Sequence, residues 1–256
     1  MNKSFWEHLD ALRSVIIRCA GAWLVCAVAM FCLRDVLFAF LFAPSQDGFI
    51  TYRLLNHLSA VTGCDSLAVP PFTPQFINTQ LGAQFTAHLE VAAVAGLVLS
   101  FPFLLWQLYD FVAPALYAKE KRAAGWIIGM GSLLFLAGAV LNYLVIFPFS
   151  FRFLSTYQVY PQVVNQIALG SYVSSLLILS LLLGVLFEIP LVAWALARAG
   201  LLHASTLCRY RKHALVALMI LAAVITPTGD AVTLLLVTLP LYLLYELSIA
   251  IIRRKK

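Results

Sequence analysis

Two long apolar runs without a single charge, separated by a short charged stretch, limit most strongly what this chain can fold into. The first run extends from Val91 to Tyr109 and the second from Ala123 to Phe147. Each is about as long as an α-helix must be to cross ~30 Å of hydrocarbon. The stretch between them, Phe111 to Arg122, reads FVAPALYAKEKR and contains a proline, which interrupts helices, and four consecutive charges. We therefore expect two membrane-spanning helices joined by a loop at a membrane surface.

The composition extends this interpretation to the whole chain. Of its 256 residues, 62% are hydrophobic and 11% are charged, and the mean hydropathy is +0.93. This is too much apolar surface for one soluble core, so we predict an all-α, polytopic membrane protein. The net charge of +6 does not indicate nucleic-acid binding, because the cations flank apolar runs rather than cover a soluble face. The cysteine spacing predicts neither a disulfide framework nor a metal site.

Six apolar segments are expected to span the membrane. The fifth has only about twelve residues, or ~18 Å at helical rise, and the sixth is interrupted by Pro240. A short loop, Pro148 to Gly170, is expected after the third. The six predicted spans are Val15 to Leu33, Val91 to Tyr109, Ala123 to Phe147, Tyr172 to Ala197, Ala214 to Ile225 and Ala231 to Ile252.

The distribution of cations predicts the orientation of these spans within a single integral membrane domain. All but three of the seventeen Lys and Arg residues fall in the N-terminal segment, two loops and the C-terminal tail, so both ends are expected in the cytoplasm. The remaining large segment should form an ordered external cap on the bilayer. The predicted segments are a cytoplasmic amphipathic segment (1–18) that lies along the membrane before turning in, the external cap (36–90), and two cytoplasmic loops (110–122 and 198–213).

Glu188 is the strongest candidate for a functional residue inside a predicted span. An ionised carboxylate at the middle of a spanning helix costs ~2.5–3.5 kcal/mol by insertion measurements, so a role in contacting the bundle interior or a partner helix is expected. The alternative is a structural residue that only holds the bundle together. Gln107 and Asp230 are grouped with Glu188 as intramembrane or partner contacts, although Asp230 most simply caps the sixth span. Glu246 is expected to extend toward the cations of the tail.

The residues also bear on two other membrane functions. An intramembrane protease is disfavoured, because Ser132 has no histidine at mid-span to act as its base. A secondary transporter that uses Glu188 for a small solute stays open, although no second buried charge is present to partner this residue. No phosphate-binding GxxxxGK[ST] motif occurs, so nucleotide-driven transport is not expected.

Several motifs together identify a family. They are an N-terminal HLxxLR (His8, Leu9, Leu12, Arg13), Pro44, Pro102, the loop FVAPALYAKEKR, FEIP (Phe187 to Pro190) and TPTGD (Thr226 to Asp230). With these motifs, spread over nearly the whole chain, the sequence resembles the TatC family, the integral receptor subunit of the twin-arginine protein translocase.

This resemblance implies a function and a set of partners. The chain would be a non-enzymatic subunit that binds twin-arginine signal peptides of folded proteins at the cytoplasmic face, with transport driven by the proton gradient. It would work without a cofactor or metal, embedded in the lipid of the cytoplasmic (inner) membrane. Its partners would be TatA- and TatB-type single-span subunits in a homo- or hetero-oligomer, and Glu188 would contribute to those contacts.

The resemblance also implies a signal-peptide site. Glu120 matches the family's loop glutamate and is expected to pair with one arginine of the signal. Where the family has a second glutamate this chain has Ala11, so we expect Glu7, on the same helical face, to take the other arginine, with Asp10 as the alternative. The remaining residues expected to shape the site or keep its acids ionised are Phe111, Pro114, Arg13 and Lys119.

Overall fold

The structure, a computed structural model, describes residues 5–63, 70–71, 74–112, 124–160, 165–226 and 230–253. Over these residues the chain is mainly α-helical. A π-helical segment, Asn142–Ile146, joins α5 to α6, and the strands β1 (Phe76–Ile77) and β2 (Ile167–Ala168) pair in parallel. The helices are α1 (Phe5–Cys32), α2 (Arg34–Phe42), α3 (Ile50–Thr62), α4 (Ala83–Val112), α5 (Ala124–Leu141), α6 (Phe147–Thr156), α7 (Leu169–Leu186), α8 (Ile189–Arg198), α9 (Ala204–Arg209), α10 (Arg211–Ile225) and α11 (Ala231–Arg253).

The long apolar stretches confirm the predicted all-α, polytopic membrane fold. Helix α10 corresponds to the predicted fifth span and has 15 residues, or ~22 Å, which is less than the ~30 Å of a typical hydrocarbon core. Within the described residues, five helical stretches are long and apolar enough to cross a membrane: Leu9–Cys32, Ala83–Phe111, Gly125–Thr156, Leu169–Arg198 and Ala231–Arg253.

The N-terminal helix does not turn where we expected. We predicted that residues 1–18 lie along the membrane surface before the first span begins at Val15. In the structure α1 is one uninterrupted helix from Phe5 to Cys32. The sequence offers a reason, because residues 5–20 contain neither glycine nor proline, so no residue there breaks the helical hydrogen bonds.

Helix α1 packs closely against α4 in the antiparallel direction. A Cβ atom on Gly96 would lie 2.5 Å from the backbone nitrogen of Ala27, so this approach requires glycine. Further along, the ring of Phe31 stacks on that of His88 with 3.9 Å between centroids. Residue numbers therefore rise along α1 as they fall along α4, and the N-terminal end of α1 lies beside the C-terminal end of α4.

The third long helix continues through a proline that we expected to begin a loop. The predicted loop from Pro148 to Gly170 is wrong in its first part, since the helical stretch extends to Thr156. The π-helical segment Asn142–Ile146 lies immediately before the proline. Such segments commonly adjust the hydrogen-bonding register of a helix where its regular pattern is disturbed.

Helix α3 supplies the hydrogen bonds that make this continuation favourable. Pro148 has no N–H to donate to the carbonyl of Leu144, four residues earlier. The hydroxyl of Thr51 donates to that carbonyl instead. The hydroxyl of Tyr52 lies 3.0 Å from the carbonyl oxygen of Pro148 and 3.1 Å from that of Pro44. It therefore connects the start of α6 to the turn that follows α2.

An aromatic cluster connects the segment 36–90 to the spanning helices. The hydroxyl of Tyr172, near the start of α7, donates to the carbonyl of Leu41 at 2.8 Å. Edge-to-face and stacked contacts of this kind add to the free energy of burial. Four rings lie with centroids 5.0–5.4 Å from that of Tyr172: Phe42, Phe76, Phe147 and Phe151.

Candidate functional site

A break in the fourth apolar stretch positions its one carboxyl group. Helix α7 ends at Leu186 and α8 begins at Ile189, with Glu188 as the residue that precedes α8. Pro190 lies in the first turn of α8, where its missing N–H leaves no hydrogen bond unmade. The backbone continues through the break, since the N–H of Val192 donates to the carbonyl of Glu188 at 2.9 Å. The FEIP motif is therefore a turn between two coupled helices.

The side chain of Glu188 lies in a small cradle formed by three helices. A Cβ atom on Gly131 of α5 would be 3.2 Å from its Oε2 atom. The same Cβ would be 2.8 Å from the side chain of Leu105 of α4 and 3.1 Å from that of Leu191 of α8. The side chain is half-buried, and its Oε1 atom is buried without a hydrogen-bond partner among the described residues. A buried carboxyl oxygen without a hydrogen-bond partner raises the free energy of the folded state. This carboxyl group is therefore suited to form a hydrogen bond with a partner outside the chain.

The cradle lies inside the bundle rather than at its end. Gly131 is seven residues beyond Ala124, where α5 begins, and Leu105 is seven residues before Val112, where α4 ends. At 1.5 Å per residue, both separations correspond to about 10 Å. Glu188 is therefore about two helical turns deeper than the end of the bundle that α4 and α5 share.

That shared end brings together part of the predicted signal-peptide site. Asp10 and Arg13 are exposed on α1, and Phe111 is partly buried in the last turn of α4. Because α1 runs antiparallel to α4, these three residues lie at the same end of the molecule. Glu7 belongs to α1, but its side chain lies outside the described residues, as do three loop residues of the predicted site: Pro114, Lys119 and Glu120.

Two further candidates occupy different positions in the bundle. Gln107 is buried on α4, with 7% of its surface exposed. Asp230 accepts a hydrogen bond of 2.7 Å from the N–H of Thr233, so it caps the start of α11 as expected. Arg253 ends this 23-residue helix. Arg253 lines one cavity together with Arg198, the last residue of α8, so the C-terminal ends of α8 and α11 lie side by side. Asp230 is at the opposite end of α11 and is therefore not part of the Glu188 cradle.

The structure corrects the expected partner of Glu246. We expected this carboxylate to extend toward the cations of the tail, but it pairs with Arg211 at 2.7 Å. The hydroxyl of Tyr242 lies 3.2 Å from its other oxygen. Because α10 and α11 are adjacent helices, the first residue of α10 reaches the last turns of α11. A pairing between these two helices cannot be seen in either sequence segment alone.

Comparison with known proteins decides the family. The chain matches the sequence model of the family described as "Sec-independent protein translocase protein (TatC)" over residues 7–240. The chain belongs to the TatC family. A TatC protein of Blattabacterium sp. subsp. Periplaneta americana (strain BPLAN) is 32% identical over 250 residues, which cover 96% of this chain and 94% of that protein. TatC of Deinococcus radiodurans is 33% identical over 249 residues, covering 97% of this chain and 85% of the relative.

Solved structures agree with this assignment. The crystal structure of the twin-arginine translocase receptor TatC in the detergent DDM superimposes with a TM-score of 0.76 at 26% identity, covering 95% of this chain and 98% of that one. A second crystal structure of the same receptor gives a TM-score of 0.75 at 27% identity. The family resemblance drawn from the motifs is thus confirmed. The protein is a multi-pass membrane component of the Tat protein translocase, and this assignment replaces the alternative of a secondary transporter for a small solute.

Proposed function

We propose that this TatC protein is the receptor and core subunit of the twin-arginine translocase in the cytoplasmic (inner) membrane. It binds twin-arginine signal peptides of folded proteins at its cytoplasmic face and nucleates export driven by the proton gradient. The observation that carries the proposal is the meeting of α1, α4 and α5 at one end of the bundle, where Asp10, Arg13 and Phe111 lie. In sequence, Glu120 falls between the end of α4 and the start of α5.

The chemistry of the signal supports this location. Two adjacent guanidinium groups are best matched by carboxylates, because the planar fork of arginine donates two parallel hydrogen bonds to one carboxylate. We assign one arginine to Glu120 and the other to Glu7, with Asp10 as the alternative. Phe111 and Pro114 would form the floor, while Arg13 and Lys119 would keep the acids ionised. The cation distribution supports a cytoplasmic position for this end and for both termini.

Glu188 has a separate role in this proposal. Its Oε1 atom is buried and lacks a partner among the described residues, and hydrocarbon offers no hydrogen bond. A polar group on a single-span subunit of the TatA or TatB type would satisfy it once the hetero-oligomer forms. Glu188 lies about 10 Å deeper in the bundle than the receptor end, so this contact is separate from the signal-peptide site.

Crosslinking tests the receptor assignment directly. A photoreactive residue is placed at Phe111 or Tyr117 in the full chain in native membranes, and a signal peptide with an arginine pair is added. We expect a crosslink that is lost when the pair is replaced by two lysines. The matched control is the same photoreactive residue at Val159, which is exposed beyond α6. A crosslink equal at all positions, or equal with both peptides, would contradict the proposed site.

A further inference from the structure

A second concave site lies where the ends of α8 and α11 meet, about 15 Å from Glu188 along α8. The cavity has a volume of about 560 Å³ and is flanked by the short helix α9. Its lining combines cationic, polar and apolar side chains from three helices and the loop between them. The residues used below are Trp194, Arg198, His203, Ser205, Ile252 and Arg253.

Two guanidinium groups from different helices line this one cavity. Arg198 is in the last turn of α8 and Arg253 is in the last turn of α11. A cation at such a position offsets the negative end of the helix dipole, which explains each arginine singly. It does not explain why both line the same concave surface. Among the described residues that line the cavity there is no carboxylate to balance them.

Both guanidinium groups are held in place by weak partners. The Arg198 guanidinium lies over the ring of Trp194, 5.2 Å from its centroid. The Arg253 guanidinium donates to the sulfur of Cys208 at 2.8 Å. An aromatic face and a thiol sulfur are much poorer partners for a cation than a carboxylate is. Each guanidinium, with its five N–H donors, therefore remains suited to bind an anion.

The position of the cavity indicates where that anion comes from. Arg198 and Arg253 end two of the stretches that are long and apolar enough to cross a membrane, so we infer that the cavity lies at the level of the lipid head groups. The half-buried Trp194 is of the residue type that is enriched at this level. Part of the lining is apolar, with Ile252 as one member. A water-soluble anion would gain nothing from that apolar part, whereas an acyl chain would.

We propose that this cavity binds the phosphodiester head of an anionic membrane phospholipid. The guanidinium groups of Arg198 and Arg253 would hold the phosphate oxygens, and Ser205 and His203 would donate to the remaining oxygens of the head group. Zwitterionic phosphatidylethanolamine is disfavoured, because its ammonium group would be repelled by the two guanidinium groups. Phosphatidylglycerol carries the phosphate without that cation. Basic pockets between spanning helices are known sites for such lipids in other membrane proteins.

Native mass spectrometry of the purified full chain tests this site. The detergent-solubilised protein is titrated with phosphatidylglycerol or phosphatidylethanolamine with identical acyl chains. We expect the parent to bind the first lipid at least tenfold more tightly. The Arg198→Gln/Arg253→Gln variant should lose this preference, while Arg209→Gln should keep it, because that exposed cation of α9 does not line the cavity.

A second variant keeps both arginines and makes the charge of the cavity less positive. Ser205→Glu places a carboxylate in the lining of the cavity, beside the guanidinium groups, from an exposed position on α9. It should abolish the preference for phosphatidylglycerol as well. Equal binding of both lipids by the parent, an unchanged preference in either cavity variant, or displacement of the lipid by millimolar inorganic phosphate would each overturn the proposal.

Discussion

The Oε2 atom of Glu188 lies so close to Gly131 that a Cβ atom added to the glycine would be only 3.2 Å away. The carboxyl group that precedes α8 thus lies against a position of α5 that has no side chain. The sequence marks Glu188 as unusual, because it is a charge inside an apolar stretch. The cradle that holds it is formed by residues which look like ordinary packing.

Replacing the carboxyl group should separate assembly from receptor function. We expect Glu188→Ala and Glu188→Gln to insert and bind signal peptides as the parent does, while export and co-purification of single-span subunits fall. The reason is that both variants remove the carboxyl group that would bind the external partner, without any change about 10 Å away at the receptor end. Export assays in cells and pull-down of the small subunits measure the effect. Unchanged export in both variants would leave Glu188 with only a structural role.

The glycines of α5 provide a matched pair that tests the cradle itself. Gly131→Leu should displace the Glu188 carboxyl group and reduce stability by about 1–3 kcal/mol, the usual cost of overpacking. Gly129→Leu should have little effect, because a Cβ there meets nothing within 4 Å. Thermal unfolding in detergent and the export assay compare the two variants. Equal losses in both would show that the close contact with Glu188 is unimportant.

The environment of Tyr52 predicts that the protein loses stability at alkaline pH. Burial raises the pKa of Tyr52 to about 12, above its ordinary value of 10. Since the folded state holds the proton more tightly than the unfolded state, this stabilisation is complete below pH 10 and is lost as the pH rises toward 12. The free energy of unfolding should fall by about 1 kcal/mol per pH unit in that range.

The comparison with Tyr52→Phe isolates this contribution. The variant removes the hydroxyl that reaches the carbonyls of Pro44 and Pro148, so we expect a loss of about 1–3 kcal/mol at neutral pH. It should also show a shallower fall between pH 10 and 12 than the parent. Tyr157→Phe serves as the control, because Tyr157 is 61% exposed. Identical alkaline profiles for the parent and Tyr52→Phe would refute this assignment.

Cysteine labelling tests the proposed topology. In variants that retain a single cysteine, a membrane-impermeant maleimide added from outside should label Cys64 and spare Cys208. The physical reason is the positive-inside rule, which places the basic segment around Cys208 in the cytoplasm. Labelling after the membrane is opened should reach both residues. The reverse pattern in intact cells would invert the topology and with it the receptor face.

The sequence predicted the spanning helices well because an uncharged run of suitable length has few alternatives to a membrane helix. It failed at Pro148, where the compensating hydroxyl of Thr51 lies almost a hundred residues earlier in the chain. It failed again at Glu246, whose partner Arg211 belongs to another helix. In each case a local pattern was overruled by a contact between distant segments, which no single segment reveals.

The candidate site was predictable to a similar extent. Glu188 was predicted because a charged residue is unusual inside an apolar stretch. The capping role of Asp230 was predicted because the residue directly precedes a helix. The contribution of Gly131 was hidden, since a small residue in an apolar helix usually marks helix packing alone. The meeting of Asp10 with Phe111 at one end depended on the antiparallel packing of α1 on α4, which required the structure.

The affinity for a signal peptide is the most direct test of the receptor assignment. The full chain is placed in lipid nanodiscs, and binding of a fluorescent twin-arginine peptide is followed by anisotropy. Each charge-assisted contact contributes roughly 1.5–3 kcal/mol, so Glu120→Ala should weaken binding by about ten- to a hundredfold. Glu7→Ala should weaken it, and Ala11→Glu should preserve or tighten it. Asp35→Asn, which removes an exposed acid in the first turn of α2, beyond the far end of α1, should leave affinity unchanged. If Glu120→Ala binds the peptide as tightly as the parent does, the proposed receptor site is wrong.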